Sequence, residues 1–358
     1  ASNNYRLQPC SPAINVGSNA AIPVGISTDI IGNSRIHETT VDMGAYEYQS
    51  SKPVPNITTE PINTLTCLGG TASFSITASN ATTYRWQVNT GSGFVNINNG
   101  ATYSTAASNT LNINSATTAM NNYTYRVVTT GNCQPNDTSS IVSLSVTNIR
   151  YVKQGGAGNL SGSSWSNASG DLQLMINQSC PNSEIWVATG TYKPNRPANN
   201  LSIIDVNNRD NAFVLKADVK IYGGFPSTGN PDMTQRDWNT NITTLSGDIG
   251  TVNDSTDNCY HVVISSSEAG TAELNGFTIT KGNANGNSNS YLVVNGNLLY
   301  NNDGGGMFNF SSSPTISNCT FTKNTADSDG GGMFNFSSFP TISQCTFTEN
   351  TSSNRGGG

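Results

Sequence analysis

The sequence predicts an all-β protein in which a β-sandwich is followed by a stacked β-solenoid. Three observations predict it. Only 11% of the 358 residues are charged, and Asn, Thr, Ser and Gly dominate. Thr is β-branched, whereas Asn and Gly tolerate left-handed turn conformations, so this composition favours short strands joined by turns. The C-terminal end repeats itself, and an earlier segment consists of short alternating runs separated by turn residues.

The repeat has a period of 26 residues. The motif Gly-Gly-Gly-Met-Phe-Asn-Phe begins at Gly304 and at Gly330, and its glycines start again at Gly356. A fixed period of about 20 to 50 residues with this composition predicts β-solenoid rungs. Successive rungs lie about 4.8 Å apart, so equivalent side chains should form columns. The expected columns are Ile316 on Ile342, Cys319 on Cys345, Phe321 on Phe347, all in the core, and Asn324 on Asn350 at a turn.

Two of these columns allow more than one interpretation. Cys319 and Cys345 could form a disulfide between rungs or stack as small apolar side chains, and we favour stacking because a buried free Cys packs as a small hydrophobe. In the run Met307-Phe308-Asn309-Phe310 only one face of the strand can point inward. We therefore expect one of two Phe columns to be exposed, where it would contact sugars or another subunit unless a neighbouring segment covers it. These columns are Phe308 with Phe334 and Phe310 with Phe336.

The rungs, together with the stretches 184–192, 219–225, 245–249 and 274–280, resemble right-handed parallel β-helix repeats of large secreted proteins from gliding-type, Bacteroidetes-like bacteria. The resemblance covers residues 149 to 358, with a cap and irregular rungs over 149–303 and regular rungs over 304–358. It implies secretion by the type IX route. The apolar spacing of residues 171–176 predicts a short capping helix.

Residues 1–50 resemble the closing segment of the same β-helix family, through the stretches 7–17 and 41–48. The closing segment of one β-helix thus precedes, in the sequence, the first rungs of another. We expect a piece of a longer array in which β-helices and spacers alternate, and residues 1–48 could pack on the helix of a neighbouring unit.

Residues 51–148 predict the β-sandwich, because apolar residues alternate with polar ones in several short runs. The run around Trp86 and the two that follow resemble bacterial immunoglobulin-like spacers, in which Trp86 would be the core tryptophan. We expect a Cys67–Cys133 disulfide in this module, the alternative being that both are unpaired. The pairing of Cys10, Cys180 and Cys259 stays open.

Charge and spacing argue against several functions. A net charge of −6 without a basic cluster disfavours nucleic acid and anionic membranes as partners, and no apolar run is long enough to insert into a membrane.

Asp303 and Asp329 precede the glycine motif as turn residues, or less favourably as calcium ligands. Asp248, Asp254 and Asp257 lie in one loop, where they could bind calcium or be solvated. His261 lies in an apolar run and His37 in a polar loop without a Ser or Asp partner.

We therefore predict no catalytic residue, no cofactor and no metal beyond a possible calcium ion. The expected function is that of a non-catalytic structural or adhesive repeat unit of a large extracellular surface protein or filament, whose partners are neighbouring units of the same protein. Two alternatives remain. One is an accessory portion of a β-helix polysaccharide lyase or hydrolase, and the other is a module that binds cell-surface glycans without catalysis.

Overall fold

The computed structural model describes residues 5–357, apart from the side chains of residues 268 and 269. The chain divides into two compact units, Ala1–Val146 and Thr147–Gly358. The fold is all-β with few helices. The strands of the first unit are β1 (Asn56–Thr59), β2 (Thr64–Thr66), β3 (Ala72–Ser75), β4 (Thr77–Ser79), β5 (Thr83–Asn89), β6 (Phe94–Asn96), β7 (Tyr103–Ser104), β8 (Thr110–Ile113), β9 (Thr124–Thr130), β10 (Asp137–Thr138) and β11 (Val142–Val146).

Residues 5–50 are ordered by buried carboxylates, with one 3-10 turn at Asn19–Ala21 and a bridge between Thr28 and Ser34. Asp42 accepts hydrogen bonds from the backbone N–H groups of Asn15 (2.7 Å) and Tyr48 (2.6 Å). Glu47 in turn accepts the N–H of Asp42 at 3.1 Å. These carboxylates satisfy backbone donors that a β-ladder would otherwise satisfy.

The expected Cys67–Cys133 pairing is wrong. Cys133 is bonded to Cys10, with a Cα–Cα distance of 4.9 Å, whereas Cys67 and Cys180 are both in disulfide linkage as well. Pairing depends on spatial proximity, and the loop that carries Cys133 lies beside Cys10 although 123 residues separate them in sequence. The bond ties residues 5–50 to the following domain. Disulfides persist in oxidising compartments, which indicates an extracellular or secreted protein.

Residues 56–146 form two sheets around one apolar core. One sheet has the order β2-β11-β9-β5-β6, with β10 beside β9, and the other has the order β3-β8-β7; β1 pairs with β4. Trp86 is fully buried beside Phe74, whose ring also contacts that of Tyr125, and the indole N–H of Trp86 donates to the carbonyl of Ser108 at 3.0 Å. The alternating burial of β9 and β11 follows from their period-two apolar pattern.

The second unit consists of parallel strands that recur in the same order. Its strands are β12 (Ile149–Val152), β13 (Ser183–Ala188), β14 (Gly190–Tyr192), β15 (Phe213–Val214), β16 (Val219–Phe225), β17 (Thr243–Ser246), β18 (Val263–Ser266), β19 (Glu273–Asn275), β20 (Thr278–Thr280), β21 (Asn283–Ala284), β22 (Tyr291–Val294), β23 (Asn297–Tyr300), β24 (Met307–Phe310), β25 (Thr315–Ser317), β26 (Thr320–Thr322), β27 (Thr325–Ala326), β28 (Met333–Phe336), β29 (Thr341–Ser343), β30 (Thr346–Thr348) and β31 (Thr351–Ser352).

Three main sheets hold these strands. The first has the order β12-β13-β16-β19-β25-β29, the second β14-β17-β20-β26-β30, and the third β15-β18-β24-β28; β21, β27 and β31 form a smaller fourth sheet. Their neighbours pair in parallel. The chain passes through the first, second and third sheets in turn and then returns to the first. We call one such passage a circuit.

Helices are short. The helix α1 (Leu172–Gln178) begins at Asp171, whose carboxylate accepts the N–H of Leu174 at 2.8 Å, and it packs Met175 and Ile176 into the core of the second unit. The 3-10 helices besides the one at Asn19–Ala21 span Thr118–Met120, Trp165–Asn167, Met233–Gln235 and Ser267–Thr271. Among the described residues, no helix is long and apolar enough to cross a membrane.

Equivalent residues of the repeat lie in register. Phe321 pairs with Phe347, and their rings stack 4.7 Å apart at an interplanar angle of 3°. Ile316 is buried beneath Ile342, yet Ile342 itself is 43% exposed, which corrects its assignment to the core. The reason is its position on β29, the last strand of the first sheet. Phe347, on the last strand of the second sheet, is only partly buried.

The two cysteines of the repeat are free thiols, Cys319 buried and Cys345 partly buried. The structure therefore contains the stacked arrangement and not a bond between circuits.

A buried asparagine joins three successive circuits. The Asn324 side chain accepts the N–H of Gly282 at 3.0 Å and donates to the carbonyl of Ile279 at 3.0 Å. It also donates to the Asn350 side chain, again at 3.0 Å. Asn324 is completely buried, so each of these bonds replaces one that water would otherwise make.

Replacing Asn324 tests this ladder. Asn324→Ala should lower the free energy of unfolding by about 2 to 4 kcal/mol, because it leaves the buried N–H of Gly282 without its acceptor and removes the hydrogen bonds to the carbonyl of Ile279 and to Asn350. Urea denaturation would measure it. The exposed Asn354, replaced by Ala, is the matched control and should change stability by less than about 0.5 kcal/mol. Equal effects of the two substitutions would contradict the ladder.

Candidate functional site

The outer face of the third sheet carries both Phe columns. Met307 points into the main core, together with Ile316 and Phe321. Phe308 and Phe310 belong to a separate apolar cluster on the opposite face of β24. Residues two apart in a strand share a face, so the expectation that only one Phe column points outward is wrong.

These columns differ in exposure. The rings of Phe308 and Phe334 meet edge to face at 5.1 Å, and those of Phe310 and Phe336 stack at 4.9 Å. Phe308 is buried, Phe310 and Phe334 are partly buried, and Phe336 is 48% exposed. The exposed aromatic surface expected from the sequence is therefore largest at Phe336, and Phe310 and Phe334 contribute to it only in part.

A hairpin covers Phe308. The antiparallel strands β22 and β23 are joined by Asn295 and Gly296, whose φ angles of 50° and 80° match a two-residue type I′ turn. On the inner face of the hairpin, Leu292 and Leu299 pack in one cluster with Phe308. A neighbouring segment thus covers this column, which was one of the alternatives left open.

Polar side chains hold the hairpin at both ends. At the turn, the Asn297 side chain donates to the Ser266 hydroxyl at 3.0 Å, and that hydroxyl donates to the carbonyl of Val294 at 3.1 Å. At the base, the Asn301 amide donates to the Ser290 hydroxyl at 3.1 Å. The hairpin is therefore fixed to the sheet by packing and by hydrogen bonds.

The other face of the hairpin is apolar and open. Tyr291 faces Tyr300 and Val293 faces Leu298 across the two strands. Their exposed fractions are 54%, 46%, 45% and 47% in that order. These four residues are not among the contact residues predicted from the sequence. An Asn-Gly pair between two apolar runs is the signal that could have found them.

Four of the five candidate calcium ligands have protein partners for their carboxylates, whereas one carboxylate oxygen of Asp329 is buried without a hydrogen bond to any described residue. Asp248 forms an ion pair with Lys281 and accepts the N–H of Asn253 at 3.2 Å. Asp257 accepts the N–H of Thr251 at 2.7 Å, and Asp254 that of Thr256 at 2.9 Å; Asp303 accepts the N–H of Asp329 at 2.9 Å. Within residues 5–357, no group of three or more His, Cys, Asp or Glu side chains is arranged to hold a metal ion.

His261 is buried at the start of the third sheet. Its Nδ1 lies 3.1 Å from the carbonyl of Gly304, and its ring meets that of Phe308 edge to face at 5.4 Å. Burial lowers the pKa of His261 from 6.5 to about 4. His261 is thus enclosed and packs against Phe308. His37, the other histidine, is exposed.

No protein-family model matches the chain, and no curated protein matches it. Among solved structures, the chain is similar to one described as titin M4, with 22% identity over 26% of this chain and 96% of that chain, at a TM-score of 0.22. The tandem immunoglobulin repeats of Dlar match with 18% identity over 29% of this chain and 60% of theirs, at a TM-score of 0.22. The eight N-terminal immunoglobulin domains of Down syndrome cell adhesion molecule match with 14% identity over 26% and 12%, at a TM-score of 0.24.

Acidification tests the burial of His261. The folded pKa lies below the unfolded one, so the unfolded chain binds a proton between about pH 6.5 and 4 that the folded chain does not bind. Stability should fall across this window, by roughly 2 kcal/mol between pH 7.5 and 5. His261→Gln should remove that part of the loss. Urea unfolding at the two pH values measures it, with His37→Gln as the control, and an unchanged pH dependence in His261→Gln would refute the assignment.

Proposed function

We propose that this chain is a non-catalytic structural and adhesive repeat unit of a large extracellular surface protein or filament. In this proposal the second unit is a right-handed parallel β-helix, and the sandwich is an immunoglobulin-like spacer. The observation that carries it is the in-register stacking of identical residues in successive circuits, such as Phe321 on Phe347. Circuits of this kind can be added without changing any interior contact, which is the property of extended repeat proteins.

The polar interior supports a structural role. Buried polar side chains form hydrogen bonds between neighbouring circuits: the hydroxyls of Ser265 and Ser312 lie 2.6 Å apart, and the Asn309 amide donates to its equivalent, Asn335, at 2.8 Å. The carboxylates of Asp248, Asp257 and Asp303 are likewise bonded to backbone N–H groups or to Lys281. These groups stabilise the stack, and they are oriented toward protein atoms.

Residues 5–50 support contact with neighbouring units of the same protein. The segment buries Ile14 and Val41 but exposes many other large apolar side chains, and exposed apolar surface of this kind marks interaction sites. The exposed residues are Tyr5, Val16, Val24, Ile26, Ile30, Ile31, Ile36 and Met43. Placement at the cell surface and secretion by the type IX route rest on the family resemblance alone.

Glycan binding is a second candidate, because Tyr291 and Tyr300 place two exposed aromatic rings side by side on one face. Aromatic side chains combine a large apolar surface with a polar group, which suits sugar contacts. A glycan array probed with the purified protein would favour this candidate if binding occurred and if Tyr291→Ser abolished it.

Electron microscopy of the purified protein tests the structural proposal. We expect ordered multi-subunit filaments, whereas dispersed single particles would contradict the proposal. Gly305→Val should abolish filaments, because a Cβ atom at Gly305 would lie 2.2 Å from the carbonyl oxygen of Thr325 in the next circuit. Gly100→Val is the matched control, since a Cβ atom there meets nothing within 4 Å.

A further inference from the structure

We propose that the outward face of the hairpin β22–β23 is a self-association surface, which packs face to face on the same hairpin of a second copy of this chain. The four contact residues would be Tyr291, Val293, Leu298 and Tyr300. This inference rests on the proposed structural function and identifies one surface through which copies would join laterally.

The hairpin is apolar on both faces, which an isolated surface ribbon would not be. An antiparallel ribbon that covers a core normally has one apolar face and one polar face. Here Leu292, Val294 and Leu299 fill the inner face, while the four outward side chains are each about half exposed. An exposed, contiguous apolar surface on a rigid element marks a protein contact.

The register of the hairpin makes this face suited to its own copy. Tyr291 lies opposite Tyr300, and Val293 lies opposite Leu298, so the two strands present nearly the same side chains in reverse order. In a two-fold interface, residue i of one copy meets residue j of the other, and j meets i. If two hairpins face each other about an axis that runs along the strands, Tyr291 meets Tyr300 of the second copy and Val293 meets Leu298 of the second copy, so like side chains pack together.

The absence of charged residues in the hairpin also favours a second copy of this chain as the partner. Residues 282–302 contain no Asp, Glu, Lys or Arg, although the chain carries a net charge of −6. A two-fold interface brings identical groups together, so any charge on this face would repel its copy. The uncharged hairpin avoids that repulsion, and it offers nothing to attract a strongly charged partner.

A protein surface fits this face better than a sugar. The side chains beside the two tyrosines, Val293 and Leu298, are branched and aliphatic, so they neither extend a flat aromatic platform nor bond to hydroxyl groups. The hairpin is also held in place by Asn297, Ser266 and Asn301. A preorganised apolar face loses little conformational freedom on association.

Sedimentation equilibrium over a wide concentration range tests this inference with three proteins: the full chain, the double variant Val293→Thr/Leu298→Thr, and a control. Thr is β-branched and therefore suits a position in a strand. The control is Ile204→Thr/Val206→Thr, which replaces two side chains that are 60% and 56% exposed elsewhere in the second unit. Circular dichroism should show that all three are folded.

The full chain and the control should self-associate alike, and the hairpin variant should dissociate at least about tenfold more readily. A full chain that stays monomeric, or a hairpin variant that associates as strongly as the control, would overturn the inference. Glycan binding that Tyr291→Ser removes, with no self-association, would overturn it in favour of a sugar site. A hairpin variant that still forms filaments and associates as strongly as the control would overturn this inference alone and leave the proposed function standing. Hairpin-dependent dimers without filaments would support this inference and contradict the proposed function.

Discussion

Parallel backbone pairing in register between successive circuits is the constraint on which the second unit depends. Each strand of β24 to β27 meets the corresponding strand of the next circuit, so every side chain lies on its own equivalent. A residue type is then suitable at a given position only if its side chain packs well against the same side chain in the next circuit. Flat aromatic rings, asparagine amides and glycines do so, and for this reason the repeat is rich in them. At Gly331 the fit is close enough that a Cβ atom would lie 2.1 Å from the carbonyl oxygen of Thr351.

The same constraint determines where the chain can vary. Interior positions are fixed by the columns, but a connection between strands can lengthen outward without disturbing them. The hairpin β22–β23 is such an insertion: register partners lie 42 residues apart from Glu273 to Thr315, and 26 apart from Thr315 to Thr341. The extra residues bury Phe308 beneath the hairpin and place new side chains on the surface. Surface properties can therefore change while the stack remains.

The sequence predicts the regular part of the fold well and the rest less well, for physical reasons. Strict repetition locates columns such as Phe321 on Phe347, because like residues stack. It does not reveal which residues end a sheet, so the exposure of Ile342 was missed. Period-two alternation places Phe308 and Phe310 on the same face of β24, opposite Met307, so both Phe columns point outward. Cys10 could not be matched to Cys133 because pairing depends on proximity in space.

A deletion of one full period measures most directly whether the second unit is held by this stacking. Removing residues 315–340 joins Pro314 to Thr341, so that Ile342 takes the place of Ile316 and every remaining column keeps its register. Removing only residues 315–327 shifts the columns by half a period. Thermal unfolding followed by circular dichroism should remain cooperative after the first deletion and lose its cooperativity after the second. The same effect from both deletions would contradict the account.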